Sequence, residues 1–200
     1  MPTFPSLDRD TRADVCIVGA GIAGLTTAYL LSLEGRSVVV LDDGGLASGM
    51  SSATTAHLVN AIDDRYEEIE RLHGEEGARL AAESHTAAID RIETIVKQEG
   101  IACDFERLDG YLFVPPGDDK AILDRELHAA GRAGLVDVTK IDRAPLAFDT
   151  GPCLRFPRQG QFHPLKYLAG VSQAILRRQG RIFTNTHVDR IEGGSSARVT

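Results

Sequence analysis

Long apolar runs are missing from this 200-residue chain. The densest, Val38-Val39-Val40-Leu41, falls far short of the roughly 20 residues a helix needs to cross a bilayer, so no transmembrane helix is expected. A cationic excess is missing too. Lys and Arg total 22 against 29 Asp and Glu, a net charge of −7 with a pI near 5.4. Phosphate neutralisation needs a basic face, so nucleic acid is excluded as a main partner. Cysteine is scarce: Cys16, Cys103 and Cys153 make an odd set with no CxxC pair, which argues against a disulfide framework. The six histidines are scattered without metal-ligand or triad spacing, and no metal site is expected. The Met1–Pro5 start has no basic and apolar signal pattern, so the expected setting is cytoplasmic. What remains is an ordinary globular composition, 42% hydrophobic and 26% charged.

Residues 1–12 read as a loose polar leader. Asp14–Val18 reads as a fully buried strand with Cys16 in the core. Ile22–Glu34 has near-helical apolar spacing and stops at Gly35, and Ser37–Leu41 is a second β-branched run ending in Asp42-Asp43. Strand, glycine turn, helix and strand make a βαβ unit with a parallel strand pair. A small, polar stretch, Gly44–Thr55, follows. Asp63-Asp64 then resembles a cap for a helix over Tyr66–Leu72. A longer amphipathic helix is expected over Glu75–Glu99, with Leu80, Ala87, Ile92, Ile95 and Val96 on one side. Cys103–Arg107 and Tyr111–Val114 read as a hairpin turning at Asp109-Gly110 and stopped by Pro115-Pro116. Helices over 119–132 and Pro164–Gln179 follow, then strand-like Arg181–Phe183, His187–Ile191 and Ala197–Thr200. Ending inside a strand pattern, the chain reads as part of a longer enzyme.

The chemistry concentrates early. Gly19-Ala20-Gly21-Ile22-Ala23-Gly24 is a GxGxxG turn between a strand and a helix, the context that gives the motif meaning. Gly19 permits the tight turn, Gly21 lets a pyrophosphate approach the backbone, and Gly24 lets the helix pack on the sheet. The helix N-terminus supplies the positive end of a dipole. Asp42, 23 residues past Gly19 at the tip of the second strand, is placed to accept both ribose hydroxyls and to repel a 2′-phosphate, which disfavours NADP. Asp43 is placed less well by strand alternation, though its backbone lies near the adenosine. Tyr111, Phe113 and Phe162 are weighed as pocket-lining aromatics against the commoner reading as core.

Gly19–Gly24, Asp42 and the Ser48–Leu58 stretch together resemble the N-terminal half of the D-amino-acid-oxidase-like flavin oxidoreductases, the family of glycine and sarcosine oxidases and related amine dehydrogenases. Thr54-Thr55-Ala56-His57-Leu58 and the helical region after it look closest to a bacterial subgroup often fused to a C-terminal Rieske iron–sulfur domain. The resemblance implies FAD as cofactor, with Met50, Ser51, Thr55, Ala56 and His57 lining the pyrophosphate and flavin mainly through backbone. It implies that Gly160–Pro164 opens a helix returning to the FAD domain, with the backbone of Val188 meeting the adenine. His163 reads as a structural loop residue. The family usually has Glu where Asp42 stands. Some relatives attach flavin through a histidine, and the matching position here is Ala53, so covalent attachment is not expected.

The expected fold class is α/β, a Rossmann-like FAD/NAD(P)-binding fold built on a parallel βαβ sheet, with part of an α+β substrate domain inserted. Its segments are a leader (1–12), the FAD-binding βαβ and flavin loop (13–65), a helical and hairpin portion (66–160), and a return helix with strands (161–200). The expected function is oxidation of an amine or amino-acid C–N bond to an imine, with electrons passed to dioxygen, a quinone or an iron–sulfur partner. No catalytic residue is assigned, and the 200 residues alone are expected to be inactive. The alternatives are a non-catalytic dinucleotide-binding module and an NAD-dependent dehydrogenase. The small-residue loop at 48–57 argues against the second.

Overall fold

The computed structural model describes residues 1–115, 117, 119–194 and 196–200. They divide into two compact units. Met1–Ala56, Ile95–Asp104 and His163–Thr200 form the first, and His57–Thr94 with Phe105–Phe162 the second.

In the first unit, β1 (Val15–Val18), β2 (Val38–Leu41) and β7 (Arg181–Phe183) form a parallel sheet in the order β1-β2-β7. Val15 pairs with Val38 and Leu41 with Phe183. All four residues of β2 are buried, as a central strand covered on both faces requires. Helix α1 (Ile22–Leu33) buries Leu25, Ala28 and Tyr29, and Gly35 follows with φ +76°. Helix α4 (Pro164–Arg177) packs against α1 and buries Tyr167, Leu168, Val171 and Ile175. His163 is its N-cap, with Pro164 in the first turn, where a missing N–H costs nothing. A two-stranded hairpin, β8 (Ile191–Glu192) with β9 (Arg198–Val199), ends the unit.

Three expectations change here. Strand β1 is not fully buried: Cys16 is exposed and Val18 is 48% exposed. Cys16 and Val18 point to the same face of β1, and that face lacks a covering layer among the described residues. The leader is not loose, because Thr184 donates to the carbonyls of Pro5 and Phe4, and the Leu7 amide donates to Thr186 Oγ1. His187–Arg190 is not strand: the amides of Asp189 and Arg190 both donate to the Thr200 carbonyl, and only Ile191 of the expected run joins a strand, β8.

In the second unit, β6 (Cys153–Gln161) is the spine. It pairs antiparallel with β4 (Glu106–Phe113) along one edge, and with β3 (His57–Leu58) and β5 (Thr139–Ile141) at the two ends of the other. Leu154 and Phe156 bury against Ala78, Ala82, Leu123 and Ala129 from helices α2 (Tyr66–Glu99) and α3 (Ala121–Arg132). Helix α2 is broken at Gly74 (φ +74°), so the expected division into two helices holds. Its buried side is Ala78, Ala82, Ile89 and Ile92, whereas Leu80 and Ala87 face solvent. The amides of Tyr66 and Glu67 are capped by the buried Glu126 carboxylate at 2.9 and 3.0 Å, in place of the expected Asp63-Asp64 cap.

The expected hairpin at Asp109-Gly110 is one continuous strand. The register shifts between Leu108 and Gly110, and the extra residue is on β6: Pro157 and Arg158 (φ +58°) oppose Asp109 alone, a bulge in β6. A Cβ on Gly110 would lie 3.1 Å from Gln159 Cγ, so close approach is its use here. Of the expected Pro115-Pro116 stop, Pro116 lies outside the described residues. Phe113 meets Phe148 edge-on at 5.9 Å, and Phe162 is buried at 6% exposure, which makes both packing residues.

Candidate cofactor site

The first unit positions a turn at the carboxyl end of its parallel sheet, where ligands bind in open α/β sheets. Gly19 leaves β1 with φ +105°, and its amide donates to the Leu41 carbonyl at 2.7 Å. Ala20 follows, buried, with its amide 2.5 Å from Asp42 Oδ2. Gly21 is the extended N-cap of α1 and offers no side-chain cap. A Cβ on Gly24 would lie 1.9 Å from the Gly19 carbonyl oxygen, so only glycine lets α1 start this close to the turn.

The amide ledger of this turn defines what it can hold. Gly19, Ala20 and Ile22 donate to Leu41, Asp42 and Ser51 respectively. Among the described residues no acceptor takes the amides of Gly21, Ala23 and Gly24. The first turn of α1 has no acidic residue to repel an anion. Three open amides at a helix N-terminus, approached past a bare Gly21, fit a pyrophosphate.

The loop after β2 folds back onto this turn. The Ala47 amide donates to the Ala20 carbonyl at 3.3 Å, and Ser51 Oγ accepts from the Ile22 amide at 3.1 Å. Ala47 and Ala56 hold left-handed φ of 57° and 69°, a conformation that costs a non-glycine residue about 1–3 kcal/mol. Met50 heads a short 3-10 turn, Met50–Ser52, with its side chain 83% exposed. Thr55 is exposed beside it. At the other rim, the amides of Asn185 and Thr186 donate to the carbonyls of Gly44 and Asp42. Val188, two residues further on, is half-buried. Asp43 is exposed and accepts from His187 Nδ1 at 2.9 Å.

Thus Gly19–Gly24, Asp42 and Ser51 converge on one sheet end, and Val188 is next in sequence to His187, which meets Asp43. His57 belongs to the second unit, where it is exposed in β3 opposite Gln161. His163 caps α4. Reading the residues missed Gly44, whose amide donates to Asp42 Oδ1 at 2.9 Å, and His187, 144 residues from its partner Asp43. No local pattern marks either one.

The far end of α1 is held by a buried carboxylate. Glu99, its side chain 7% exposed, accepts from Tyr29 Oη at 2.7 Å and lies 2.7 and 2.8 Å from Arg177 and Arg178. Burial pushes the Glu99 carboxyl up, but the Tyr29 hydrogen bond and the two arginines outweigh it and hold the group below its ordinary value. Burial, then Glu99, pushes the Tyr29 hydroxyl up to about 12.

A parallel βαβ unit with an open-amide glycine turn and a carboxylate at the second strand tip defines a Rossmann-like dinucleotide-binding domain. Residues 14–200 match the family model "DAO: FAD dependent oxidoreductase", and the chain belongs to that family. Its cofactor is FAD. The chain is 34% identical over 199 residues to the Rieske-named 2Fe-2S iron-sulfur protein YhfW of Bacillus subtilis (strain 168), covering 100% of this chain and 39% of that protein. It is 29% identical over 202 residues to gamma-glutamylputrescine oxidoreductase of Escherichia coli (strain K12), covering 98% of this chain and 47% of that protein. The glycine oxidase structure from Geobacillus kaustophilus superposes with TM-score 0.76 at 20% identity, covering 95% of this chain and 51% of that one. That likeness shows the fold. The chain therefore spans about half or less of the length of these relatives. Among the described residues no helix is long and apolar enough to cross a membrane.

Proposed function

We propose that these residues are the FAD-binding part of an enzyme that oxidises the C–N bond of an amine or amino acid to an imine. The observation that carries this reading is the family match over residues 14–200, centred on a turn with three open amides. When bound, FAD supplies the acceptor for the hydride equivalent leaving the carbon next to nitrogen. This chain's own residues bind and orient. The Gly21, Ala23 and Gly24 amides hold the pyrophosphate, the α1 dipole favours its charge, and Val188 borders the adenine. Met50, Ser51, Thr55 and Ala56 form the small-residue loop that lets the cofactor pass close to backbone. The names of two relatives, a gamma-glutamylputrescine oxidoreductase and a glycine oxidase, support a nitrogen-bearing substrate. The Rieske-named relative supports an iron–sulfur centre as electron acceptor.

An absorbance scan tests the cofactor. Bands near about 370 and 450 nm are expected for bound flavin, and a colourless protein that binds NAD would overturn the assignment. Anaerobic bleaching of those bands by a panel of amines and amino acids, run on the longest natural chain that contains these residues, tests the reaction. A panel that leaves the bands intact while a simple alcohol bleaches them would remove the C–N reading.

A further inference from the structure

The segment before β1 is bonded to residues 179 and 180 positions further along the chain. The Leu7 amide donates to Thr186 Oγ1 at 3.0 Å, Thr184 Oγ1 donates to the Phe4 carbonyl at 2.8 Å, and the Thr184 amide donates to the Pro5 carbonyl at 3.1 Å. Phe4 and Leu7 are half-buried and the two residues between them exposed, so two side chains seat the segment. Nearer β1, the Thr11 hydroxyl and the Arg12 carbonyl accept from Arg181 of β7. The same residues that receive this segment also meet the exit of β2. Three consecutive amides point three ways: Thr184 to Pro5, Asn185 to the Gly44 carbonyl at 3.1 Å, and Thr186 to the Asp42 carbonyl at 2.9 Å. Asn185 sits between them with φ +49°, a conformation that persists where its surroundings hold it. Thr184 is only 3% exposed, so without Pro5 its amide would lie buried and unpaired. From Asp42 the series continues to the Ala20 amide of the glycine turn, which Oδ2 accepts at 2.5 Å.

We propose that Phe4–Leu7 is a strap that positions the adenosine end of the FAD site by fixing Thr184–Thr186 against the tip of β2. This rests on the FAD reading of the glycine turn and goes beyond it, since the residues before β1 have no part in that reading. The strapped residues bond to Asp42, the acid set toward the ribose, and Val188, set toward the adenine, follows two residues after them. The Met50–Ala56 loop, set along the pyrophosphate and flavin, is tied to α1 through Ser51 instead. Loosening the strap is therefore felt by the adenosine and not by the flavin.

Three probes separate the ends of the site when titrated into the longest natural chain that contains these residues, stripped of flavin. They are FAD, ADP, which has the adenosine without the flavin, and FMN, which has the flavin without the adenosine. Thr184→Val combined with Thr186→Val removes both strap hydroxyls at nearly constant shape. It is expected to weaken FAD and ADP alike, by about fivefold or more, as losing ordinary hydrogen bonds implies. FMN should stay within about twofold of wild type. Thr184→Ser combined with Thr186→Ser keeps the hydroxyls and should restore FAD and ADP. Coupling is reciprocal, so ADP should slow hydrogen exchange at the Leu7 and Thr184 amides of the unaltered chain, and FMN should not. This arm needs no variant, so a misfolded mutant leaves it standing. Equal weakening of FMN and ADP by the valines would reduce the strap to a general support of the fold and overturn the proposal. Unchanged FAD affinity would do the same, as would Leu7 and Thr184 amides that exchange equally fast with and without ADP. An unaltered chain that binds neither FAD nor ADP would instead sink the cofactor assignment.

Discussion

Gly21 and Gly24 are three residues apart in one turn, yet an added side chain meets different surroundings at each. At Gly24 a methyl would sit 1.9 Å from the Gly19 carbonyl oxygen, which is rigid backbone at the mouth of β1. Gly24→Ala must therefore push α1 off the turn. It is expected to cost about 2 kcal/mol or more in thermal or urea unfolding, the range for overpacking against backbone. At Gly21 the nearest atom is Ser51 Oγ, 3.0 Å away at the tip of a side chain that can rotate. Gly21→Val is expected to unfold within about 1 kcal/mol of wild type while losing flavin, because its side chain fills the approach to the open amides. Flavin retained by Gly21→Val at wild-type occupancy would mean the motif is only a packing turn. These roles were legible because a glycine motif encodes them within six residues. The Ser51, Gly44 and His187 contacts were not, since a hydroxyl or ring reaching across a loop leaves no periodic trace.

Within the first unit, Glu99, the last residue of α2, joins Tyr29 of α1 and the two arginines that close α4. Glu99→Gln keeps the shape but leaves two guanidinium groups without their anion. It is expected to cost about 2–3 kcal/mol at pH 7, below the fully buried range because Arg177 is 57% exposed. The pH dependence has a definite sign. The folded carboxyl sits below its ordinary value of 4.5, so its contribution is complete above that pH and is lost as pH falls through the folded value. The gap in melting temperature between wild type and Glu99→Gln should therefore stay constant from pH 7 to about 5 and shrink below about 4.5. A gap that persists unchanged to pH 3 would remove the ionised carboxylate from the account. At this scale the sequence was uneven. The βαβ unit and α4 were plain because Gly35, Pro164 and Gly180 punctuate them. Strand β6 was not, because Pro157 and Gly160 interrupt its pattern and Arg158 takes φ +58° inside it. Asp109-Gly110 carries the composition of a hairpin turn, yet β4 runs straight through it and the bulge falls on the opposing Pro157 and Arg158 of β6.

For the chain as a whole, the relatives extend well past these 200 residues, and the first unit shows where such an arrangement matters physically. Among the described residues its sheet has three strands, and one of the two outer ones, β1, presents a bare face with Cys16 and Val18 exposed beside the free edge. A flat parallel edge with apolar side chains is a template for pairing with another chain. The 200 residues expressed alone are therefore expected to self-associate reversibly, with a sedimentation coefficient that rises over the micromolar range. Val18→Lys places a charge on that face without touching the glycine turn, whose contacts run through Gly19 and Leu41. It should shift the population toward monomer and leave the flavin spectrum unchanged, since an edge charge opposes strand addition. If association persists in Val18→Lys, it arises from another surface, such as the exposed Leu72, Leu80 and Val136 of the second unit. If the wild-type piece sediments as a monomer at every concentration, the bare face of β1 carries no adhesive energy and the edge argument fails.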